Sequence, residues 1–142
     1  MEKKHLLVVD NDQNLLRTLE FILETANYKV TTAGNSQEAL EKIFGEREKN
    51  RAVDLLITDI RMPGMTGLEL IDELTRREEK IPVVVLTAYG DYQLAAKLRR
   101  KGCLDYLDKT LDDEALVKHI DSILTQIEDR RISDSRKSPC EK

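Results

Sequence analysis

The sequence predicts an α/β fold: a three-layer sandwich in which helices cover both faces of a five-stranded parallel sheet. Nearly continuous aliphatic runs, often β-branched, suit strands that are buried on both faces, and three stretches of this kind lie at residues 6–10, 53–59 and 81–87. Between them, apolar residues recur at the spacing of amphipathic helices. Strands therefore alternate with helices, an order that favours a parallel sheet with right-handed crossovers.

The first half of the chain contains three strand and helix pairs. The first strand leads into a helix with the apolar residues Leu15, Leu16, Leu19, Ile22 and Leu23. Residues 28–32 alternate apolar and polar, which is typical of an edge strand, and a helix around residues 39–43 follows. After the third strand, Thr66 and Glu69 form a capping-box pattern that predicts the start of the third helix.

Two further pairs complete the series. The fourth strand ends at Thr87, its helix closes near Gly102, and the fifth strand lies at about residues 104–107. The fifth helix has the clearest amphipathic face, formed by Leu116, Val117, Ile120, Ile123, Leu124 and Ile127. From residue 128 the chain offers little to bury, so we expect a domain at residues 1–127 and a frayed polar tail or linker stub at residues 128–142.

Composition and charge exclude several classes of protein. The 23 Lys and Arg residues against 27 Asp and Glu residues give a net charge of −4, which disfavours sequence-independent binding of nucleic acid or anionic lipid. The aliphatic runs are far shorter than the roughly 18 residues of a membrane span, and the first residues lack a signal-peptide pattern. Cys103 and Cys140 lack the neighbours of a disulfide framework or zinc site. We expect a cytoplasmic protein without membrane attachment.

Polar residues follow four of the five predicted strands. Asp10 and Asn11 end the first strand, Asp59 the third and Thr87 the fourth, while Lys109 follows the fifth. In an open parallel sheet, ligands bind outside the carboxyl ends of the strands, so these side chains should share one pocket. Each of them also has a structural interpretation, such as a helix cap or a solvated charge.

The combination favours phosphoryl transfer. Two carboxylates in one pocket repel each other unless a cation lies between them, and Mg²⁺ accepts a few protein oxygens while it keeps water ligands and takes a phosphate oxygen. The carboxylate of Asp59 can act as a nucleophile that forms an aspartyl phosphate, with Thr87, Lys109 and the metal neutralising phosphoryl charge.

With these residues in place, the chain resembles the receiver domain of two-component response regulators over residues 5–127. Five segments carry the resemblance: LVVD ending at Asp10, TDIRMPGMTG around Asp59, VLTA around Thr87, KGCLDY ending at Tyr106 and LDK ending at Lys109. The resemblance implies a flavodoxin-like sheet with strand order 2-1-3-4-5 and five helices.

The resemblance also implies a role for each site residue. Asp59 would be the phosphoacceptor, and Thr87 and Lys109 would contact the phosphoryl group. The metal ligands would be Asp10, Asn11, Asp59 and the backbone carbonyl of Arg61, with Asp10 acting through water. Thr87 and Tyr106 would form the switch that alters the face made by the fourth helix, fifth strand and fifth helix, while Arg61 and Tyr89 would tune the phosphate lifetime.

Two positions depart from the family pattern. Asn11 stands where the family most often has a second acidic residue, and a neutral amide oxygen is a weaker ligand for a hard cation. Asp12 is acidic, but its expected role is to cap the first helix. Thr110 stands where the family usually has a proline after the lysine, so Lys109 could be presented differently.

The resemblance predicts a phosphorylation-controlled switch rather than an ordinary enzyme. A sensor histidine kinase or phosphotransfer protein would donate the phosphoryl group, and an output domain or protein of unknown identity would respond. Phosphorylation from a small phosphodonor and slow self-dephosphorylation are expected. We expect a monomer or weak homodimer, and since no basic stripe or helix-turn-helix follows residue 127, no direct binding of nucleic acid by this chain.

Two alternatives remain at the level of sequence. A receiver-like binding module could have lost phosphotransfer through Asn11 and act by partner binding alone. A haloacid-dehalogenase-like phosphohydrolase is the other alternative, because the sequence Asp10-Asn-Asp12 also matches a nucleophile motif in which Asp10 would react.

Overall fold

Five strands form one parallel sheet in the computed structural model, which describes residues 3–49, 52–87, 93, 96–97, 105–109 and 112–136. The strands are β1 (His5–Val9), β2 (Lys29–Ala33), β3 (Leu55–Asp59), β4 (Val83–Thr87) and β5 (Asp105–Asp108). Their order is β2-β1-β3-β4-β5, and every neighbouring pair is parallel. The predicted fold class and strand order are therefore confirmed.

Four helices lie within the described residues. They are α1 (Gln13–Thr25), α2 (Ser36–Glu48), α3 (Gly67–Arg76) and α4 (Asp113–Arg136). The helix predicted between β4 and β5 falls in a stretch of which only Gln93, Ala96 and Lys97 are described, and all three are helical. The rest of that stretch lies outside the described residues. The helix expected as the fifth is thus α4. No described helix combines the length and the apolar character needed to cross a membrane.

The chain divides into two compact units, residues 1–111 and 112–142. In the first unit, α2 and α3 cover one face of the sheet. The core cluster on this face contains Leu7 and Val9 of β1, Leu56 of β3, and Ile43 and Leu70 from the two helices. Residues at the alternate strand positions are just as inaccessible: Leu6, Val8, Leu55, Ile57 and Val84. Burial on both faces explains the continuous aliphatic runs of these strands.

The second unit consists chiefly of α4. Leu116, Ile120, Ile123 and Leu124 are its buried apolar residues, which matches the predicted stripe. The frayed tail expected from residue 128 is wrong for residues 128–136, because the helical backbone continues through Arg136. Glu and Arg have high helix propensity, and a helix closes its own backbone hydrogen bonds without burying side chains. The division of the chain at residue 127 remains a prediction.

The amino end of the sheet is closed by polar contacts around His5. The backbone nitrogen of this buried residue donates to Asp54 Oδ2 at 2.8 Å, and the nitrogen of Asp54 donates to the carbonyl of His5 at 2.7 Å. The imidazole Nε2 lies 2.7 Å from Thr31 Oγ1. These bonds join β1 to the start of β3 and to β2, at the end of the strands away from Asp10 and Asp59.

Candidate functional site

Asp10 and Asp59 lie at the carboxyl ends of the two neighbouring strands β1 and β3. Val9 is level with Thr58 in the β1–β3 ladder, so the next residue of each strand brings one carboxylate to the same edge of the sheet. Both residues are almost inaccessible, with relative exposures of 0% for Asp10 and 6% for Asp59. The predicted pairing of two acidic residues is therefore present.

Lys109 lies directly between these carboxylates. Its Nζ atom is 3.0 Å from Asp10 Oδ2 and 3.1 Å from Asp59 Oδ2. One ammonium group thus faces two acidic groups, and with both carboxylates ionised the three side chains carry a net charge of −1. A further cation would be electrostatically favourable at this edge of the sheet.

The pKa of Asp59 reflects this charge balance. Burial is the largest cause and raises the pKa of Asp59 above its ordinary value, and the charge of Asp10 raises it further. The ammonium of Lys109 and the backbone N–H of Arg61 both donate hydrogen bonds to the Asp59 carboxylate and lower its pKa, but they compensate only in part. Burial lowers the pKa of Lys109, whereas its contacts with Asp10 and Asp59 raise it, and the net result is a raised pKa.

The two oxygens of Asp10 have different environments. Oδ1 accepts a hydrogen bond of 2.9 Å from the backbone nitrogen of Asp12. Oδ2 is buried and accepts no hydrogen bond of good geometry from the described residues, although it forms the ion pair with Lys109. Asp12 itself caps α1 by accepting from the backbone nitrogens of Asn14 and Leu15, as the sequence predicts. A buried carboxylate oxygen that is paired with an ammonium but accepts no well-aligned hydrogen bond is a potential cation ligand.

This donor set fits Mg²⁺. Within the described ranges no group of three or more His, Cys, Asp or Glu side chains is placed to hold a metal, so a fully protein-enclosed metal cage is not formed there. Mg²⁺ differs from most metals in this respect, because one or two carboxylates together with waters and phosphate oxygens are sufficient for it. Asp10 and Asp59 supply the two carboxylates.

The loop at residues 60–66 leads from Asp59 into α3 and passes very close to the site. Gly67 donates from its backbone nitrogen to the carbonyl of Ile60 at 3.0 Å. A Cβ atom at Gly67 would overlap the backbone oxygen of Asp59, so only glycine permits this approach. The Thr66 and Glu69 capping box is formed as predicted. The role of Gly67 was not predicted from the sequence. The available signal was its place directly after the N-cap Thr66, because glycine does not favour helix formation there and so indicates a close contact.

The structure describes some of the other predicted site residues and leaves others outside the described ranges. Asn11 is exposed beside Asp10, and Arg61 is exposed next to Asp59. Thr87 is the last residue of β4, level with Asp108. Tyr106 of β5 is half-buried and packs against the core cluster. Tyr89 and Thr110 lie outside the described residues, as does the peptide bond after Lys109.

An open groove borders the loop on its outer side. It has a volume of about 450 Å³ and is lined by Ile60, Arg61, Met62, Thr66 and Leu68. The lining is mainly aliphatic, with the guanidinium of Arg61 as the charged group.

Known proteins are similar to this chain in both sequence and fold. Residues 6–121 match the family model of the response regulator receiver domain. Solved structures with the same fold include a receiver domain protein from Clostridium thermocellum, with a TM-score of 0.76, 27% identity and coverage of 88% of this chain and 97% of that one. NtrX from Brucella abortus has a TM-score of 0.82 and 28% identity, with 95% of this chain and 30% of that chain covered.

Curated relatives are longer proteins. The transcriptional regulatory protein FixJ of Bradyrhizobium diazoefficiens is 30% identical over 126 residues, which cover 89% of this chain and 59% of FixJ. The transcriptional regulatory protein GlrR of Escherichia coli is 38% identical over 122 residues, which cover 86% of this chain and 26% of GlrR. The family match covers most of the chain and includes both acidic strand ends, so this chain belongs to the receiver domain family of two-component response regulators.

Proposed function

We propose that this receiver domain is a phosphorylation-controlled switch that accepts a phosphoryl group on Asp59. The observation that carries the proposal is the contact of one ammonium group, Lys109, with two buried carboxylates at adjacent strand ends. A purely structural ion pair would need one carboxylate. The second carboxylate, whose buried Oδ2 is paired with the Lys109 ammonium but accepts no well-aligned hydrogen bond from the described residues, is suited to bind a cation during phosphoryl transfer.

The proposed reaction is an in-line displacement at phosphorus. A carboxylate oxygen of Asp59 attacks the phosphorus of a phosphohistidine on a partner protein. The new O–P bond forms while the P–N bond breaks, and the imidazole nitrogen retains the electron pair of that bond. Lys109 remains protonated, as its raised pKa requires, and its ammonium is available to neutralise charge on the transferred group.

Magnesium is the cofactor that we assign to this reaction. Asp10, Asn11, Asp59 and the backbone carbonyl of Arg61 would hold it. When bound, Mg²⁺ would offset the charge that the phosphoryl oxygens add to the two carboxylates. Asn11 supplies an exposed amide where a third carboxylate would otherwise stand. We therefore expect a weak affinity for Mg²⁺, on the order of millimolar.

The switch itself is assigned to Thr87 and Tyr106. The register places Tyr106 opposite Val85, two residues before Thr87 on the neighbouring strand. Tyr106 is half-buried and contacts the core cluster, so a change in its packing would alter the surface around β5. Arg61 and Tyr89 would set the phosphate lifetime by shielding the new acyl phosphate from water.

A sensor histidine kinase or phosphotransfer protein would act as the donor. FixJ and GlrR are transcriptional regulatory proteins of which this chain spans 59% and 26%, so we propose control of transcription, through an output domain or partner, as the output class. The chain itself would not bind nucleic acid. We also propose that the protein is a monomer or a weak homodimer and that it is located in the cytoplasm.

The direct test is intact-protein mass spectrometry after incubation with Mg²⁺ and acetyl phosphate. The parent protein should gain one phosphoryl group, Asp59→Asn none, and Lys109→Ala much less than the parent. Removal of Mg²⁺ with a chelator should abolish the adduct. Steady phosphate release that survives Asp59→Asn but requires Asp10 would instead indicate the phosphohydrolase chemistry.

A binding module without phosphotransfer is the second candidate, and the exposed Asn11 is the observation that favours it. In that case the folded parent protein would gain no phosphoryl group at any Mg²⁺ concentration. Asn11→Asp would then be the variant to test, because it restores a carboxylate at the metal-binding edge.

A further inference from the structure

Ser36, the first residue of α2, is a buried polar residue that the proposed chemistry does not use. Its relative exposure is 0%. The hydroxyl does not cap its own helix. Instead, Oγ donates a hydrogen bond of 2.8 Å to the carbonyl of Met65, 29 residues away in the sequence. A buried serine at a helix start usually bonds locally, so a contact across the fold requires another explanation.

Met65 belongs to the loop that presents Arg61 to Asp59. This loop is held at its far end by Gly67, which donates to the carbonyl of Ile60, and by the Thr66 capping box. The hydrogen bond from Ser36 adds a tie from a different element of the fold. Ile60 and Met62 of the loop also pack in the core cluster, so the Ser36 bond adds a directional polar contact to this apolar packing.

The segment that carries Ser36 also supports Asp10. The carbonyl of Ala33, at the end of β2, accepts a hydrogen bond of 3.1 Å from the backbone nitrogen of Asp10. The start of α2 around Ser36 is closed by a local hydrogen bond, in which Asn35 Oδ1 accepts from the backbone nitrogen of Glu38 at 2.8 Å. Within one short segment, Ala33 thus contacts the backbone of Asp10 and Ser36 contacts the loop that follows Asp59.

We propose that Ser36 is a positioning residue that sets the 60–66 loop, and with it the backbone groups of Arg61, relative to Asp10 and Asp59. The inference rests on the proposed function insofar as it concerns Mg²⁺ and phosphate. Ser36 touches neither carboxylate. It acts through Met65 on the N–H of Arg61, which donates to Asp59, and on the Arg61 carbonyl assigned to the metal.

Ser36→Ala is the variant that tests this role, since it removes one oxygen atom and keeps the volume of the site. Ile43→Val is the matched control: Ile43 is buried in the core cluster on the same helix, and its truncation weakens packing without removing a hydrogen bond to the loop. Melting temperatures of both variants show whether their loss of stability is comparable.

Two readouts separate positioning from stability. The first is the backbone amide resonance of Arg61 in a ¹⁵N-labelled sample, together with its hydrogen-exchange rate, and it requires neither metal nor phosphate. Ser36→Ala should shift this resonance and speed exchange, whereas Ile43→Val should leave both unchanged.

The second readout is the Mg²⁺ dependence of phosphorylation by acetyl phosphate. For Ser36→Ala the half-saturating Mg²⁺ concentration should rise, and the rate at a fixed concentration should fall about tenfold.

Equal behaviour of Ser36→Ala and Ile43→Val at the Arg61 amide would overturn the inference even if both proteins are phosphorylated normally. A parent protein that accepts no phosphate would refute the proposed function, while the amide resonance would still decide whether Ser36 holds the loop. The two failures are therefore distinguishable.

Discussion

Gly67 packs directly against the backbone oxygen of Asp59, at the point where α3 begins beneath the end of β3. The helix start and the proposed phosphoacceptor are thus in backbone contact, with no side chain between them. The hydrogen bond from Gly67 to Ile60 fixes the same approach. The position of Asp59 consequently depends on the absence of a Cβ atom eight residues later.

Gly67→Ala should lower the free energy of unfolding by about 2 kcal/mol, because an added methyl group in a closely packed site forces backbone shifts. The expected phosphorylation rate falls well below that of the parent, since the shift occurs at Asp59 itself. Urea denaturation and the acetyl phosphate assay measure the two effects. Gly45→Ala is the control: a Cβ there meets no atom within 4 Å, and on α2 it should stabilise by about 0.5–1 kcal/mol. Equal effects of the two substitutions would contradict the close-packing argument.

Asp59→Asn should stabilise the protein at neutral pH in the absence of Mg²⁺. Burial raises the pKa of Asp59 in the folded state, so the folded protein holds this proton more tightly than the unfolded chain does. Ionisation then costs stability, and the cost develops as pH rises from the ordinary Asp pKa of about 3.9 through the raised value. A gain of about 1 kcal/mol, or about 3 °C in Tm, is expected at pH 7.

The pH dependence distinguishes this effect from general charge removal. The advantage of Asp59→Asn should shrink as pH falls toward 4, whereas Glu41→Gln, an exposed charge change on α2, should have little effect at either pH. If the stability gain of Asp59→Asn persisted unchanged at low pH, the cost of ionising Asp59 in the folded state would not be its cause.

Lys109→Met should destabilise the protein by about 1 kcal/mol at pH 7, because it leaves Asp10 and Asp59 facing each other without the ammonium. The loss is smaller than the roughly 3–5 kcal/mol of a fully buried pair, since 25% of the Lys109 side chain is exposed and solvent screens the interaction. The raised pKa of Lys109 means that its contribution is present at neutral pH and is lost as pH rises through that value. Thermal melts of parent and variant across pH measure the difference.

A double variant provides the check. Combining Lys109→Met with Asp59→Asn should give a protein more stable than the sum of the two single effects, because neutralising Asp59 relieves more repulsion from Asp10 when the ammonium is absent. The single effects sum to about zero, so a double variant with only the stability of the parent would mean that the Lys109 and Asp59 side chains do not interact energetically.

Asn11→Asp should tighten Mg²⁺ binding about tenfold, which corresponds to about 1.4 kcal/mol. A third carboxylate beside Asp10 increases the charge offered to a hard cation, and Asn11 is exposed enough to take the charge without a burial penalty. Melting temperature as a function of Mg²⁺ concentration reports the affinity. Asn14→Asp adds the same charge on the exposed surface of α1, so an equal shift in this variant would indicate general electrostatics rather than a metal ligand.

The sequence predicts the acidic pair well, for a geometric reason. Asp10 and Asp59 each follow an aliphatic run, and strands that are parallel deliver their carboxyl ends to one edge. The adjacency of β1 and β3 could be inferred from the family resemblance. Local patterns such as the Asp12 cap could be predicted from nearby residues alone. The fold class followed from the same alternation of strands and helices.

Contacts between distant elements could not be predicted. The bond from Ser36 to Met65 joins the start of α2 to a loop that no periodicity relates to it, and its existence depends on how α2 packs beside α3. The unequal environments of the two Asp10 oxygens likewise depend on the placement of Lys109. The end of α4 was missed because apolar patterning ends at Ile127, whereas helix propensity continues in the charged residues beyond it.

The polar contacts around His5 have a consequence for engineering. His5 bonds to both Thr31 and Asp54 at the amino ends of the strands, while the carboxylates of Asp10 and Asp59 lie at the carboxyl ends, a strand length of roughly 16 Å away. Changes separated by such a distance usually add independently. A protein designer can therefore reinforce the amino end to raise heat resistance and reserve the opposite end for tuning the signal, so that neither trait has to be traded for the other.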